Sequence, residues 1–171
     1  MSERQRVLAT PLNQLLADAR AIRDAQFGSR VTYSPKVFIP LTMLCRDKCG
    51  YCTFAQPPAR LENPYLSAEQ VLAIAKQGAR MGCHEALFTL GERPELRYDV
   101  AKDWLKANGF DSTVHYLHDM ASLVLKETGL LPHANAGALY KDELALLRKV
   151  SPLAVSLLRI KCRAPAPPCP L

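Results

Sequence analysis

Three cysteines, Cys45, Cys49 and Cys52, fall within eight residues as C-x3-C-x2-C. Thiolates on so short a loop can wrap one face of a metal centre. A cubane iron–sulfur cluster has four irons, so three cysteines leave one iron open, and an open iron is a place for chemistry. A structural zinc site takes four protein ligands, commonly as two separated C-x2-C pairs, and no second pair follows at a suitable distance. Cys83 is the one candidate for a fourth zinc ligand, although its position between a helix and a strand reads better as a small buried side chain. Cys162 and Cys169 form a C-x6-C pair among prolines, and His115 and His118 share one helix face without a third ligand. A second polar element is Gly91-Glu92, a carboxylate beside a glycine, which suits the binding of an ammonium group.

The elements that must position these residues follow from pattern. Residues 37–41, Val-Phe-Ile-Pro-Leu, read as an apolar strand weakened by Pro40, and the cysteine loop leaves its carboxyl end. Ser67 with Gln70 forms a capping box for a helix running to about Arg80, with Val71, Leu72, Ala75 and Ala79 inward and Gly82 as its stop. Residues 86–90 are a second strand that delivers Gly91-Glu92. Helices are expected over 98–108 and 114–128, then a strand over 130–135 bearing His133 and Asn135. A helix over 141–150 should turn Leu144, Leu147 and Val150 inward, and 153–160 has the character of a fourth strand. Strand, helix, strand with short links implies a parallel sheet, whose active sites gather at the carboxyl ends of the strands.

Before this core, Leu12, Leu15, Leu16, Ala19 and Ile22 make a helical stripe. After it, residues 161–171 carry four prolines and read as a disordered tail. The expected organisation is a helical extension over 1–32, a core over 33–160 and that tail. Six reduced cysteines, no apolar run of 18 residues and no signal-peptide pattern point to a cytoplasmic chain without membrane association. The net charge of +6 is scattered, with no basic block and no recognition motif for nucleic acid.

The string IPLTMLCRDKCGYCTF over 39–54, with Tyr51 just before the last cysteine, resembles the signature of the radical S-adenosylmethionine (SAM) enzymes. Within them it is similar to the deazaflavin-forming half of the FO synthases, which build the chromophore of coenzyme F420. The strings EALFTLGERPE over 85–95 and GLLPHANAG over 129–137 are similar to that subfamily as well. The resemblance implies a [4Fe-4S] cluster held by Cys45, Cys49 and Cys52, and SAM held by Tyr51, Gly91, Glu92 and Asn135. It implies an α/β fold, a partial TIM-type (β/α) barrel. Family members use six β/α units, and 171 residues supply about three to four strands, so a C-terminally truncated member is expected.

The implied activity is that of a radical SAM lyase. A 5'-deoxyadenosyl radical starts the cyclisation of a tyrosine-derived 4-hydroxybenzyl adduct of a ribityl-aminouracil, with loss of ammonia. Implied partners are that small-molecule substrate, an electron donor such as flavodoxin or ferredoxin, and the tyrosine-coupling half of FO synthase. Two readings from other classes stay open: a zinc-binding structural module using Cys83, and an inert fragment that folds only against a partner.

Overall fold

The computed structural model describes residues 2–154, which divide into two units, Met1–Tyr33 and Ser34 onward. The first unit holds helices α1 (Glu3–Ala9) and α2 (Leu12–Phe27). Ser2 and Gln5 cap α1 reciprocally, the Ser2 hydroxyl accepting from the Gln5 N–H and the Gln5 side chain accepting from the Ser2 N–H. This short helix escaped the sequence reading. Gly28, at φ 62°, ends α2. No residue of either helix is buried, and the expected apolar stripe lies on the surface, with Leu12 70% and Ile22 65% exposed.

The second unit is a parallel sheet of β1 (Lys36–Thr42), β2 (Glu85–Leu90), β3 (Leu131–Asn135) and β4 (Leu153–Ala154), in the spatial order of the sequence. Between the strands come α3 (Ala68–Arg80), α4 (Asp99–Ala107), α5 (Thr113–Thr128) and α6 (Lys141–Leu147). Sequential order without a reversal is the arrangement of a barrel wall, not of a doubly wound sheet, whose order reverses at a switch point. The fold is therefore the expected α/β architecture, a partial (β/α) barrel. The remainder of the anticipated fourth strand, Cys162, Cys169 and the proline-rich tail lie outside the described residues.

Strand alternation divides the sheet into two faces. Ile39 and Leu41 of β1, Ala86 and Phe88 of β2, and Ala134 of β3 are fully buried on the helix-covered face. Here α3 and α5 supply the cover, and small residues set the approach. Gly78 of α3 sits so close to β1 that a Cβ on it would stand 2.5 Å from the Cβ of Val37. On α5, Val114, Leu117, Ala121 and Val124 repeat at helical spacing and are buried, while Gly129 at φ 70° closes the helix. The other face carries three rows across the strands: Lys36, Glu85 and Leu131; Phe38, Leu87 and His133; Pro40, Thr89 and Asn135. Phe38 and Leu131 on it are 48% and 45% exposed.

Pro40 does not break β1, because the register shifts between Pro40 and Thr42 and leaves Leu41 as the extra residue of a bulge. A bulge on a strand at the side of the sheet is where a residue without an N–H is tolerated. Helix α6 ends at Leu147, three residues earlier than expected. Leu147 is buried as anticipated, but Leu144 is 39% exposed, since a helix this short presents only one turn to the core.

Candidate functional site

The bulge at Leu41 redirects the chain, and Thr42 fixes the new course: its hydroxyl donates to the Pro64 carbonyl at 2.7 Å and accepts from the Leu44 N–H at 3.1 Å. From there the cysteine loop departs at the carboxyl end of β1. Its base is closed by the Gln56 N–H on the Met43 carbonyl (2.9 Å) and its tip by the Cys52 N–H on the Cys49 carbonyl (3.1 Å). Arg97 turns its guanidinium onto the carbonyls of Cys45 (3.3 Å) and Arg46 (3.1 Å) from the neighbouring loop. Cys45, Cys49 and Cys52 line one cavity of about 240 Å³ together with Lys48, Gln56 and Tyr98.

Strand β2 delivers its loop directly against this one. The Gly91 N–H donates to the Thr42 carbonyl at 3.1 Å. A Cβ on Gly91 would stand 1.9 Å from the Leu44 carbonyl oxygen, so glycine is required here by the close passage of two backbones. Glu92 continues the contact: its N–H points at the Cys45 sulfur (3.3 Å), and its carbonyl accepts from the Arg46 N–H (2.9 Å). The Glu92 side chain is only 10% exposed, and Oε1 takes a 2.5 Å ion pair with Arg46.

The next residues anchor the same loop outward. Arg93 adopts φ 38°, the one non-glycine residue with positive φ among those described. Such a conformation costs on the order of 1–3 kcal/mol and persists only where the surroundings impose it. They do: its guanidinium makes a two-pronged pair with Glu143 (2.8 and 2.6 Å), reaches the Ala138 carbonyl and lies 4.4 Å from the Tyr140 ring centroid. Glu95 accepts from the Thr113 N–H (3.3 Å) and hydroxyl (2.6 Å) at the start of α5. Tyr65 completes that network through Thr113 at 2.7 Å, and burial raises its phenol well above the usual range. The string GERPE thus binds three different elements with three charged side chains.

Asn135 ends β3 in the row of Pro40 and Thr89, two strand spacings or roughly 10 Å from β1. Tyr51 is 89% exposed. His133 shares the open face with Asn135 but pairs with Glu85 at 3.2 Å, towards the opposite end of the strands. His115 and His118 have carboxylates beside them after all, Asp111 at 3.5 Å and Asp119 at 2.9 Å, and all four line one cavity, yet they are not placed to hold a metal ion together. Arg46, Arg93 and Arg97 were missed by sequence reasoning, because nothing in their spacing distinguishes them from a solvated basic surface.

The zinc reading with Cys83 is overturned by topology. Cys83 precedes β2 and packs against the core, whereas the three-cysteine loop follows β1 at the other end of the parallel strands, about 20 Å away at 3.3 Å per residue. Among the described residues no three His, Cys, Asp or Glu side chains could hold a single metal ion. A cubane distributes its cysteines over separate irons, so three thiols around one cavity fit it where a lone ion would lack convergence. The Cys45 sulfur also receives two backbone N–H groups, from Glu92 and from Asp47 (3.4 Å), the outer-sphere arrangement of a metal-bound thiolate.

Known proteins resemble this chain over most of its length. The chain is 48% identical over 155 residues to an FO synthase of Mycobacterium leprae, covering 82% of this chain and 18% of that protein. It is 50% identical over 119 residues to a 7,8-didemethyl-8-hydroxy-5-deazariboflavin synthase of Methanopyrus kandleri, covering 70% of this chain and 36% of that one. The chain therefore spans well under half the length of these relatives. The crystal structure of methylornithine synthase shares the fold at a TM-score of 0.58 and 22% identity, covering 86% of this chain and 40% of that one. No helix among the described residues is long and apolar enough to cross a membrane. The model of the radical SAM superfamily matches residues 39–157, from β1 through the cysteine loop and past β4, and by that match the chain belongs to the radical SAM superfamily.

Proposed function

We propose that the chain carries the cluster-binding and SAM-binding portion of an enzyme of FO biosynthesis. The observation that carries this reading is the cavity lined by Cys45, Cys49 and Cys52, with Gly91-Glu92 locked against Cys45. In it the three thiolates hold a [4Fe-4S] cluster. Glu92 accepts the ammonium of SAM, Gly91 lets the two backbones meet, and the Tyr51 backbone and Asn135 border the nucleoside. The chemistry supplied there, with cluster and SAM in place, is one-electron cleavage of SAM to methionine and a 5'-deoxyadenosyl radical.

The remaining contributions come from this chain. The two N–H groups on Cys45 and the Arg97 clamp fix the cysteine loop, and the Arg93 and Glu95 anchors hold the Glu92 loop in register with it. The reaction is the radical-initiated closure of the 4-hydroxybenzyl adduct of ribityl-aminouracil with loss of ammonia, a lyase step. The open sheet face bearing Thr89 and Asn135 supplies one wall of the substrate chamber. A flavodoxin or ferredoxin delivers the electron, and the tyrosine-coupling half supplies the adduct.

The test is anaerobic reconstitution with iron and sulfide, followed by electron paramagnetic resonance of the reduced protein. The expected result is a reduced-cluster signal that changes on adding SAM and is absent from Cys49→Ala. A protein that takes up no cluster, or a signal indifferent to SAM, overturns the reading.

A further inference from the structure

We propose that Arg46 is a positioning residue that divides the Glu92 carboxylate, fixing one oxygen so that the other stays open to a cationic amino group. This deepens the reading just given and rests on it. Glu92 is gripped at three points by the two residues 45–46: its N–H on the Cys45 sulfur, its carbonyl on the Arg46 N–H, and Oε1 on the Arg46 guanidinium. A side chain with three rotatable bonds, nine-tenths buried, thereby loses its freedom relative to the cysteine loop.

Oε2 is treated differently. Among the described residues no hydrogen bond reaches it. Its neighbour is Gly137, at φ 74°, where a Cβ would stand 3.2 Å from Oε2 and 3.4 Å from the Glu92 Cβ. Glycine at this position keeps the approach to Oε2 clear. Arg46 does not take both oxygens, as a guanidinium facing a carboxylate often does. It is shared, with Nε 3.8 Å from Asp47, and so meets Glu92 through one nitrogen. The carboxylate that results is oriented, largely buried and half satisfied. The ligand chemistry that completes it is a primary ammonium, which donates to Oε2 at the cavity-side end of β2.

The test uses the chain reconstituted with iron and sulfide and measures equilibrium dialysis of SAM and of its analogue lacking the α-amino group. The wild type should prefer SAM. Arg46→Gln should weaken SAM binding about tenfold, the value of one hydrogen bond to a charged group, and leave the analogue's affinity unchanged, so that the preference collapses. Arg46→Lys, which keeps the charge, should restore part of it. Retained preference in Arg46→Gln, while Glu92→Gln loses it, overturns the role of Arg46 alone. Retained preference in Glu92→Gln, or a wild type that binds neither compound, overturns the Glu92 reading and this inference with it. Loss of affinity for both compounds alike in Arg46→Gln and Arg46→Lys marks a structural role and also overturns the inference.

Discussion

The two ends of the parallel strands each hold a nearly buried glutamate, and the two are treated in opposite ways. Glu85, at the amino end of β2, is saturated: Ser34, Lys36 and His133 all converge on its oxygens. The Lys36 and Ser34 contacts hold its carboxyl down at about 2. Glu92, beyond the carboxyl end of the same strand, keeps one oxygen that no hydrogen bond reaches among the described residues. A satisfied carboxylate ties elements together, whereas a half-satisfied one is a site in waiting. On the proposed reading one strand thus separates a stabilising end from a binding end, the division found in (β/α) barrels generally.

The sharpest way to break this contrast is to remove an anchor of the binding end. Arg93→Ala leaves Glu143 charged and buried, and should cost on the order of 3–5 kcal/mol in urea unfolding. Glu143→Gln, which retains a hydrogen-bonding partner, should cost less. Gly91→Ala forces a Cβ into the Leu44 carbonyl and should destabilise by about 1–3 kcal/mol; iron content after reconstitution should fall with it, because the displaced segment carries Cys45. At the other end, Glu85→Gln should cost about 1–3 kcal/mol and leave iron uptake intact.

The pH dependence sharpens the same point. The folded-state carboxyl of Glu85 lies below its ordinary value of 4.5, so its stabilising contribution is whole above that value and disappears as the pH falls towards about 2. The unfolding midpoint of the wild type should drop through that window, and Glu85→Gln should flatten the drop. The smallest effect is expected from Cys83→Ser, about 1 kcal/mol or less in stability, with unchanged iron content. Lost iron binding in that variant would restore Cys83 as a ligand.

Legibility in the sequence follows the same division. The strands and helices of the core were visible because their signals are local: the Ser67–Gln70 capping box, the glycines after α3 and α5, and the apolar blocks of β1 and β2. The cysteine spacing was visible for the same reason. Arg46, Arg93 and Arg97 were not, because each acts on a partner some 46 to 52 residues away, and only the fold brings them together. In the sequence Gly91 is only a glycine beside a carboxylate. Its actual reason, a backbone crossing at β1, depends on the parallel register of two strands separated by a whole helix. The surface stripe of α2 shows the converse, a clear helical period that announces a helix without saying what covers it.

The order β1-β2-β3-β4 bears on how such a chain is made as well as on what it does. Among the described residues each strand after β1 pairs with the strand synthesised just before it, so within this set no early segment waits for a distant later one to find its partner. Each new strand can dock on an edge already in place as it emerges, with its preceding helix closing over the apolar face. Assembly of this sheet can therefore keep pace with translation, adding one unit at a time from the amino-terminal side.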